Sequence, residues 1–336
     1  MQQRRLGRTG LKVSEVCLGT MTFGVQCDEP LSRAILDRAA EGGVTFLDTA
    51  DCYPIPLEPQ TVGRTEEILG HWLQGRRERF VLASKCFFPM GPGPNDRGNS
   101  RRHVLAAAEA SLRRLQTDFI DLYQVHAFDH ETPLDETLRA LDDLVRAGKV
   151  RYAGCSNFRA WELARALAVS ERRGVARFDS TQPRYNLLHR EIETDLLPLC
   201  REEGVGVIVF NPLAGGMLSG KHRPGGEPAA GGRFSAQLGS TGAAYRRRYW
   251  QDEALHAVES LRVFFEGRGQ SLATAAVAWV LDQPGISAAI VGASRPEQLD
   301  ATLAASGFAL DDEARARLDQ VWYDLPRRRP ESGPVR

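Results

Sequence analysis

The stretch Phe119-Ile120-Asp121-Leu122-Tyr123-Gln124-Val125-His126 is a short apolar run that ends in a histidine. Two earlier runs have the same form: Phe80-Val81-Leu82-Ala83-Ser84-Lys85 ends in a lysine, and Thr45-Phe46-Leu47-Asp48 ends in an aspartate. Runs that are apolar on both faces are typical of parallel strands covered on both sides of the sheet. The three runs therefore predict buried parallel strands, each with an ionisable side chain at its carboxyl end.

Strand-like and helix-like segments alternate eight times along the chain. The predicted strands are Val13–Gly19, Thr45–Thr49, Phe80–Lys85, Phe119–His126, Tyr152–Ser156, Asp179–Gln182, Val205–Phe210 and Ala288–Gly292. Apolar residues between them recur at helical spacing, and the two clearest stripes are Val104, Ala108, Leu112 and Leu115, then Leu134, Leu138, Leu141 and Leu144. The pattern predicts one α/β domain, a (β/α)8 TIM barrel over residues 1–325 with its active site at the carboxyl ends of the strands.

Turn and helix-boundary signals agree with this division. A short turn is expected at Arg8-Thr9-Gly10, Thr132-Pro133 is typical of a helix start, and Gly148 is typical of a helix end. Three long segments, Pro54–Gly63, Cys86–Ser100 and Leu213–Trp250, follow the carboxyl ends of strands and predict a lid or pocket wall. Composition predicts a disordered tail over residues 326–336.

Composition excludes several function classes. The 43 basic and 43 acidic residues balance, so no nucleic-acid or membrane-surface partner is indicated. No apolar stretch approaches the length of a membrane span, and the first residues lack the apolar core of a signal peptide. The six cysteines form no Cys-x-x-Cys pair, which favours reduced thiols in a cytoplasmic protein, and the seven histidines show no metal-ligand spacing. Oligomeric state is not predicted.

Four polar residues at three successive strand ends suggest proton transfer to a carbonyl: Asp48, Tyr53, Lys85 and His126. A lysine ammonium beside a tyrosine is expected to lower the tyrosine pKa from its reference value of about 10. An aspartate keeps the lysine charged and fixed, and a histidine can donate a hydrogen bond to a substrate oxygen. Cys52 directly precedes Tyr53, and Cys86 directly follows Lys85. One of these cysteines could line the pocket, or both could only pack in the core.

These residues lie in segments that resemble the aldo-keto reductases from about residue 4 to residue 324. The similarity is closest to the branch with bacterial oxidoreductases and the β subunits of potassium channels. The matching segments are Phe46-Leu47-Asp48-Thr49-Ala50 with Tyr53, Gly63-Arg64-Thr65-Glu66-Glu67-Ile68-Leu69-Gly70, Ala83-Ser84-Lys85, Ser111-Leu112-Arg113-Arg114-Leu115, Asp121-Leu122-Tyr123-Gln124-Val125-His126 and Gly154-Cys155-Ser156-Asn157-Phe158. The resemblance implies that Tyr53 is the acid, that Lys85 and Asp48 tune it, and that His126 orients the carbonyl.

No Gly-x-Gly-x-x-Gly follows a strand, so the usual dinucleotide-binding fold is not indicated. The resemblance implies instead a nicotinamide cofactor along the barrel mouth, NADP(H) with NAD(H) as the alternative. Ser156, Asn157 and Gln182 resemble the groups that bind the carboxamide. Phe210 resembles the aromatic residue that stacks on the nicotinamide, although core packing is an alternative. The other implied contacts are Gly19, Thr20, Met21, Asp48, Asn211, Pro212, Leu213, Gly215, Lys221, Arg233, Gly292, Ser294, Arg295, Gln298 and Thr302.

Within this set, the loop from Asn211 to Lys221 resembles the one that wraps the pyrophosphate, and Lys221 and Arg233 add charge. Ser294 and Arg295 resemble the site of a 2′-phosphate near a helix N-terminus. Ala301 and Thr302 depart from the branch, which commonly has Glu and Asn there.

The expected reaction is reduction of an aldehyde or ketone on a small-molecule carbonyl substrate. One alternative is a non-catalytic NADP(H)-binding regulatory subunit, and another is a Schiff-base aldolase that uses Lys85. The substrate itself is left open: Phe23, Phe87, Phe88 and Phe128 could build an apolar pocket, whereas the arginines of residues 223–248 would suit an anion.

Overall fold

The computed structural model of the chain describes residues 1–326. Residues 327–336, most of the predicted tail, lie outside the described residues. The chain opens with an antiparallel hairpin of β1 (Gln3–Arg5) and β2 (Lys12–Ser14). Eight parallel strands then form a closed barrel: β3 (Val16–Gly19), β4 (Phe46–Asp48), β5 (Val81–Cys86), β6 (Ile120–Val125), β7 (Val150–Ser156), β8 (Phe178–Gln182), β9 (Gly206–Val209) and β10 (Ile286–Val291).

The barrel closes because β10 pairs with both β9 and β3, and the other strands pair in chain order. All eight predicted strands are present, which confirms the (β/α)8 prediction. The single strand predicted over Val13–Gly19 is wrong, since that segment is divided between the hairpin and the barrel. The Ser14 hydroxyl donates to the Val16 carbonyl oxygen and accepts from the amides of Thr45 and Phe46. These bonds turn the chain at Glu15, so β2 cannot continue into β3.

Eleven helices lie among residues 1–326, most of them around the barrel. They are α1 (Glu29–Glu41), α2 (Arg64–Leu73), α3 (Arg101–Leu115), α4 (Leu134–Arg146), α5 (Ala160–Arg173), α6 (Leu196–Glu203), α7 (Gly239–Tyr249), α8 (Asp252–Glu266), α9 (Leu272–Leu281), α10 (Gln298–Leu303) and α11 (Asp312–Asp324). Short 3₁₀ helices occur at Arg77–Arg79, Glu191–Glu193, Ala214–Ser219 and Ala236–Leu238.

The two predicted stripes face the core. All four residues of the α3 stripe are buried, and in the α4 stripe Leu134 is partly buried while the other three are fully buried. Pro133 caps α4, and Gly148 follows its end with φ of +71°, which confirms both boundary signals. The larger core lies between helices and strands, whereas a smaller cluster inside the barrel includes Leu6 and Val13 of the hairpin. The hairpin therefore closes the amino-terminal end of the barrel.

The carboxyl ends of the strands carry the long segments that shape the site. Pro54–Gly63 follows β4, and the segment up to Ser100 follows β5. The third segment, residues 213–250, is not the plain loop that its glycines and arginines predict, since it contains two 3₁₀ helices and α7. Its aromatic side chains pack on one another, with Phe234 5.0 Å from Trp250 and 6.2 Å from Tyr245 between ring centres. We call residues 213–250 the cap segment.

Among residues 1–326, no helix is both long enough and apolar enough to cross a bilayer. The six cysteines are buried free thiols, as expected.

Candidate active site

Lys85 and Asp48 form a buried ion pair at the carboxyl ends of β5 and β4. The Lys85 Nζ lies 2.6 Å from Asp48 Oδ2, and it also donates a 2.8 Å hydrogen bond to the Thr49 carbonyl oxygen. Lys85 has no exposed surface and Asp48 has 3%. Removing one member of such a pair typically costs about 3–5 kcal/mol, because the other charge stays buried without compensation. The two groups therefore hold each other charged and fixed.

The second oxygen of Asp48 is bound by two glutamines, one from β6 and one from β8. Asp48 Oδ1 accepts a 2.8 Å hydrogen bond from Gln182 Nε2 and a longer one, 3.5 Å, from Gln124 Nε2. The sequence analysis missed Gln124, although it lies two residues before His126 and so points to the same face of its strand. Gln182 was predicted to bind a carboxamide, but its amide nitrogen is engaged by Asp48. Its amide oxygen is the atom left for a ligand.

Tyr53 follows β4 and turns its ring toward the ion pair. The ring centre lies 5.3 Å from Lys85 Nζ and 5.8 Å from the His126 ring. Burial raises the pKa of the Tyr53 hydroxyl well above its usual value, and the negative charge of Asp48 raises it further. The expected lowering of this pKa by Lys85 stays a prediction, because burial and Asp48 set the net direction. Burial is the largest contribution, so the hydroxyl keeps its proton.

His126, directly after β6, is a neutral imidazole. Burial lowers its pKa well below the usual value, and the positive charge of Lys85 lowers it further. The Cys52 sulfur lies 3.9 Å from His126 Nδ1, which answers the open question about this cysteine: it borders the site. Cys86 instead packs in the larger core between the helices and the strands. A neutral histidine can donate one hydrogen bond and accept one, which suits it to hold an oxygen rather than to supply a proton.

Aromatic side chains line the approach to His126. The ring of Phe88 lies edge-on 4.9 Å from His126, and Phe87 lies 5.3 Å from Phe88. Phe128 contacts Trp161, whose ring is 5.7 Å away and half exposed. Phe23 is fully buried in the main core, so the expectation that it lines the pocket is wrong.

The residues predicted to bind a carboxamide meet beside His126. Asn157 Nδ2 donates to the His126 carbonyl oxygen at 2.9 Å and to Ser156 Oγ at 3.1 Å. Ser156 Oγ in turn donates to the Gln182 carbonyl oxygen at 2.8 Å. Within the described part of the chain, the amide oxygens of Asn157 and Gln182 accept no hydrogen bond, so they can receive the N–H groups of a carboxamide.

The start of the cap segment is shaped to approach an anion. Phe210, at the end of β9, is partly exposed and borders the inner cluster. Asn211 has φ of +59°, and its Nδ2 is buried without a hydrogen-bond partner among residues 1–326. Pro212 is buried, and the Leu213 carbonyl oxygen accepts from the Gly216 amide. Gly215 and Gly216 have φ of +70° and +98°. Successive glycines in this region present backbone N–H groups to an anion.

Three cations surround this loop. The pKa of Lys221 is lowered, first by desolvation of its ammonium, although the side chain reaches solvent, and then by the charge of Arg295. Arg233 has a buried Nη1 without a hydrogen-bond partner in the described residues, and its charge acts on Tyr53. Positive charges held close together repel each other, and an anion bound between them relieves that repulsion. These donors fit the phosphates of a dinucleotide.

The remaining residues predicted to contact the cofactor fall into two groups, according to whether they are exposed or are bonded within the protein. Gly19, Met21, Gly292, Ser294 and Arg295 are at least partly exposed at strand ends. The side chains of the other three make internal bonds instead: Thr20 to the Asp48 carbonyl oxygen, Gln298 to Ser294, and Thr302 to the Leu299 carbonyl oxygen. Thr302 is also 2% exposed, so its hydroxyl does not face a ligand. A group of three or more residues arranged to hold a metal ion does not occur in residues 1–326.

Comparison with known proteins agrees with this geometry. The model of the aldo/keto reductase family matches residues 15–323. The uncharacterized oxidoreductase YrpG of Bacillus subtilis is 40% identical over 329 residues, covering 96% of both chains. The versiconal hemiacetal acetate reductase of Aspergillus parasiticus is 33% identical, covering 96% of this chain and 97% of its own. The "Probable voltage-gated potassium channel subunit beta" of Arabidopsis thaliana is 34% identical, covering 99% of each chain. This chain is therefore an oxidoreductase of the aldo/keto reductase family.

Proposed function

We propose that the protein reduces an aldehyde or ketone to an alcohol with NADP(H), and that Tyr53 supplies the proton. The observation that carries the proposal is the position of the Tyr53 ring and the His126 imidazole beside a buried Lys85–Asp48 pair. A reductase needs a protonated acid and an oxygen-binding donor in one pocket. The raised pKa of Tyr53 and the lowered pKa of His126 support these two roles, a protonated acid and a neutral hydrogen-bond donor.

The residues divide the work by their chemistry. A reduced nicotinamide bound here would supply a hydride to the carbonyl carbon. His126 holds the carbonyl oxygen by a hydrogen bond, and the Tyr53 hydroxyl transfers its proton to that oxygen as the carbon–oxygen double bond becomes single. Tyr53 is left as a tyrosinate, and the Lys85 ammonium, 5.3 Å from its ring, stabilises that charge. Asp48 keeps the ammonium charged and in place.

The cationic mouth supports NADP(H) over NAD(H). Lys221, Arg233 and Arg295 lie around a glycine loop with positive φ angles, and one buried guanidinium nitrogen has no partner within the described chain. The 2′-phosphate is the charged group that distinguishes the two cofactors. We place it with Arg295 and Ser294, and the pyrophosphate with the loop that begins at Asn211. Ser156, Asn157 and Gln182 then hold the carboxamide, and Phe210 stacks on the ring.

The pocket favours an apolar substrate that carries an accessible carbonyl group. Phe88 covers one edge of His126, and Met21, Ile55 and Met90 pack beside Tyr53. Arg233 acts on Tyr53 electrostatically, so a carboxylate or phosphate on the substrate would also find a partner there. The proposal thus covers apolar aldehydes and ketones, with anionic ones as a second group to be tested in the same assay.

The similarity to the Arabidopsis protein favours a second candidate, a non-catalytic NADP(H)-binding regulatory subunit. A subunit that only senses the cofactor does not need a proton donor and a neutral histidine in one pocket, and this chain has both. A Schiff-base aldolase is disfavoured because Lys85 is fully buried and its nitrogen is held by Asp48 and by the Thr49 carbonyl oxygen, so it is not free to attack a substrate.

The test is NADPH oxidation followed at 340 nm with a panel of aryl, alkyl and anionic aldehydes. Reductase activity predicts turnover with at least one class and its loss in Tyr53→Phe. NADPH binding without turnover across the panel would instead support the regulatory subunit. Covalent trapping by borohydride on Lys85 would support the aldolase, and Lys85→Met serves as its control.

A further inference from the structure

Cys52, the residue directly before Tyr53, contacts the imidazole of His126. Its sulfur lies 3.9 Å from His126 Nδ1, within the range of a hydrogen bond to sulfur. Cys52 has no exposed surface, and His126 is 8% exposed. Within residues 1–326, this sulfur is the one hydrogen-bonding partner of the imidazole ring, since Tyr53 and Phe88 contact it by their ring edges and faces.

The contact matters because a neutral imidazole has two tautomers. One ring nitrogen carries the proton and the other presents a lone pair, and the partner of one nitrogen decides which is which. Burial and the charge of Lys85 lower the pKa of His126 and keep it neutral. Burial and the nearby Asp51 raise the pKa of the Cys52 thiol, so it keeps its S–H. The pair is a thiol beside a neutral ring.

A thiol and an imidazole can share a hydrogen bond in two ways. Either the S–H donates to the Nδ1 lone pair, or Nδ1–H donates to the sulfur. Sulfur is a weak acceptor, whereas the imidazole nitrogen is a strong one, so the first arrangement is favoured. The Nδ1 side of the ring is closed by buried Cys52, which leaves Nε2 as the nitrogen that faces a ligand.

We propose that Cys52 is a positioning residue: its S–H donates to His126 Nδ1, which fixes the ring proton on Nε2, where it meets the substrate carbonyl oxygen. The proposal rests on the proposed reductase function only for that last step. With the opposite tautomer, an Nε2 lone pair would face the carbonyl oxygen and repel it. Loss of the S–H therefore lets part of the population adopt an unproductive tautomer.

The direct test is ¹⁵N NMR of protein labelled at histidine and saturated with NADP⁺. The His126 signals are identified by their loss in His126→Asn. We expect Nε2–H with an unprotonated Nδ1 in the wild type and in Cys52→Ser, whose hydroxyl also donates. In Cys52→Ala we expect a mixture of tautomers or a shift to Nδ1–H. Nδ1–H in the wild type, or an unchanged tautomer in Cys52→Ala, would overturn the proposal.

Kinetics give a second readout. A weak hydrogen bond to a neutral group corresponds to a loss of about two- to tenfold in kcat/KM in Cys52→Ala. Cys52→Ser should recover most of that loss, and NADPH affinity should not change. Cys200→Ala is the matched control, because Cys200 is equally buried in α6 and contacts no histidine within residues 1–326. Equal losses in Cys52→Ala and Cys200→Ala would reduce the effect to packing and contradict the proposal.

The two experiments separate this inference from the proposed function. The NMR measurement needs no substrate, so it decides the tautomer even if no carbonyl compound is reduced. Conversely, the wild-type protein could reduce aldehydes and yet carry the His126 proton on Nδ1. That result would support the proposed reductase function and contradict the proposed role of Cys52.

Discussion

Lys85 Nζ lies 2.6 Å from Asp48 Oδ2 and 5.3 Å from the centre of the Tyr53 ring, so one buried ammonium faces both groups. Its charge is compensated by Asp48 while Tyr53 is protonated. When Tyr53 loses its proton, the same ammonium is already in place to stabilise the new anion. Among the protein's own groups, no charge has to move other than the Tyr53 proton, which is the advantage of a preorganised polar site.

The first prediction concerns Lys85→Met. We expect turnover to fall by at least about 100-fold, because the tyrosinate loses its cation. The alkaline limb of the residual rate of reduction should move to higher pH, since that limb reports loss of the Tyr53 proton. Stability should also fall, by about 3–5 kcal/mol, because Asp48 is left buried without its partner.

The control for this prediction is the double variant Asp48→Asn with Lys85→Met. Replacing both charges by neutral groups should restore much of the free energy of unfolding, measured by urea denaturation, but not the turnover. An unchanged alkaline limb in Lys85→Met, or recovery of turnover in the double variant, would contradict the coupling of Lys85 to Tyr53.

The second prediction concerns His222 in the cap segment, which packs 5.2 Å from Phe234 and 4.8 Å from Trp250. Burial, with the charges of Lys221 and Arg223, lowers its pKa to about 4. The unfolded value is about 6.5, so between these values the unfolded chain binds a proton that the folded chain does not. Stability should therefore fall as pH falls from 6.5 to 4, by about 2–3 kcal/mol from this residue.

His222→Phe should remove that part of the pH dependence. Urea unfolding of both proteins at pH 7.0, 5.5 and 4.5 measures it, and the comparison cancels groups that titrate in both. Asp179, for example, has a pKa raised to about 6 by burial and titrates in the opposite sense in each. Parallel stability curves for the two proteins would show that His222 does not titrate as described.

The strand ends could be predicted from the sequence because two strong signals coincide there. Apolar runs locate β4, β5 and β6, and a charged or polar residue at the end of each is costly unless it has a function. The hairpin could not be predicted in the same way. Its strands are three residues each, and the turn that separates β2 from β3 is fixed by Ser14 bonds to residues 45 and 46, which are distant in sequence.

The structure of the cap segment and the direction of the Tyr53 pKa shift were harder to predict from the sequence, for a different reason. Glycines and arginines dominate residues 213–250, while the aromatic residues that order it are irregularly spaced and meet only after folding. The direction of the Tyr53 pKa shift depends on the balance between burial, Asp48 and Arg233, which a motif does not give. Gln124, by contrast, could have been found from its two-residue spacing to His126.

The third prediction concerns the cofactor. Arg295→Ala should weaken NADPH binding by roughly 10- to 150-fold, the range of a charge-assisted hydrogen bond, and leave NADH binding nearly unchanged. Fluorescence titration of both cofactors measures the affinities. Arg113→Ala is the control, because it removes the same charge from the exposed face of α3. Equal wild-type affinities for the two cofactors, or equal losses in Arg295→Ala, would show that Arg295 does not bind the 2′-phosphate.

The central claim is that Tyr53 supplies the proton, and Tyr53→Phe tests it most directly. The measurement is the rate of NADPH oxidation with the best aldehyde of the panel, together with NADPH affinity, in the wild type and the variant. We predict a fall in kcat of about 10²- to 10⁴-fold with NADPH affinity within about twofold, because the ring still packs while the acid is gone. Near-wild-type turnover in Tyr53→Phe would contradict the account.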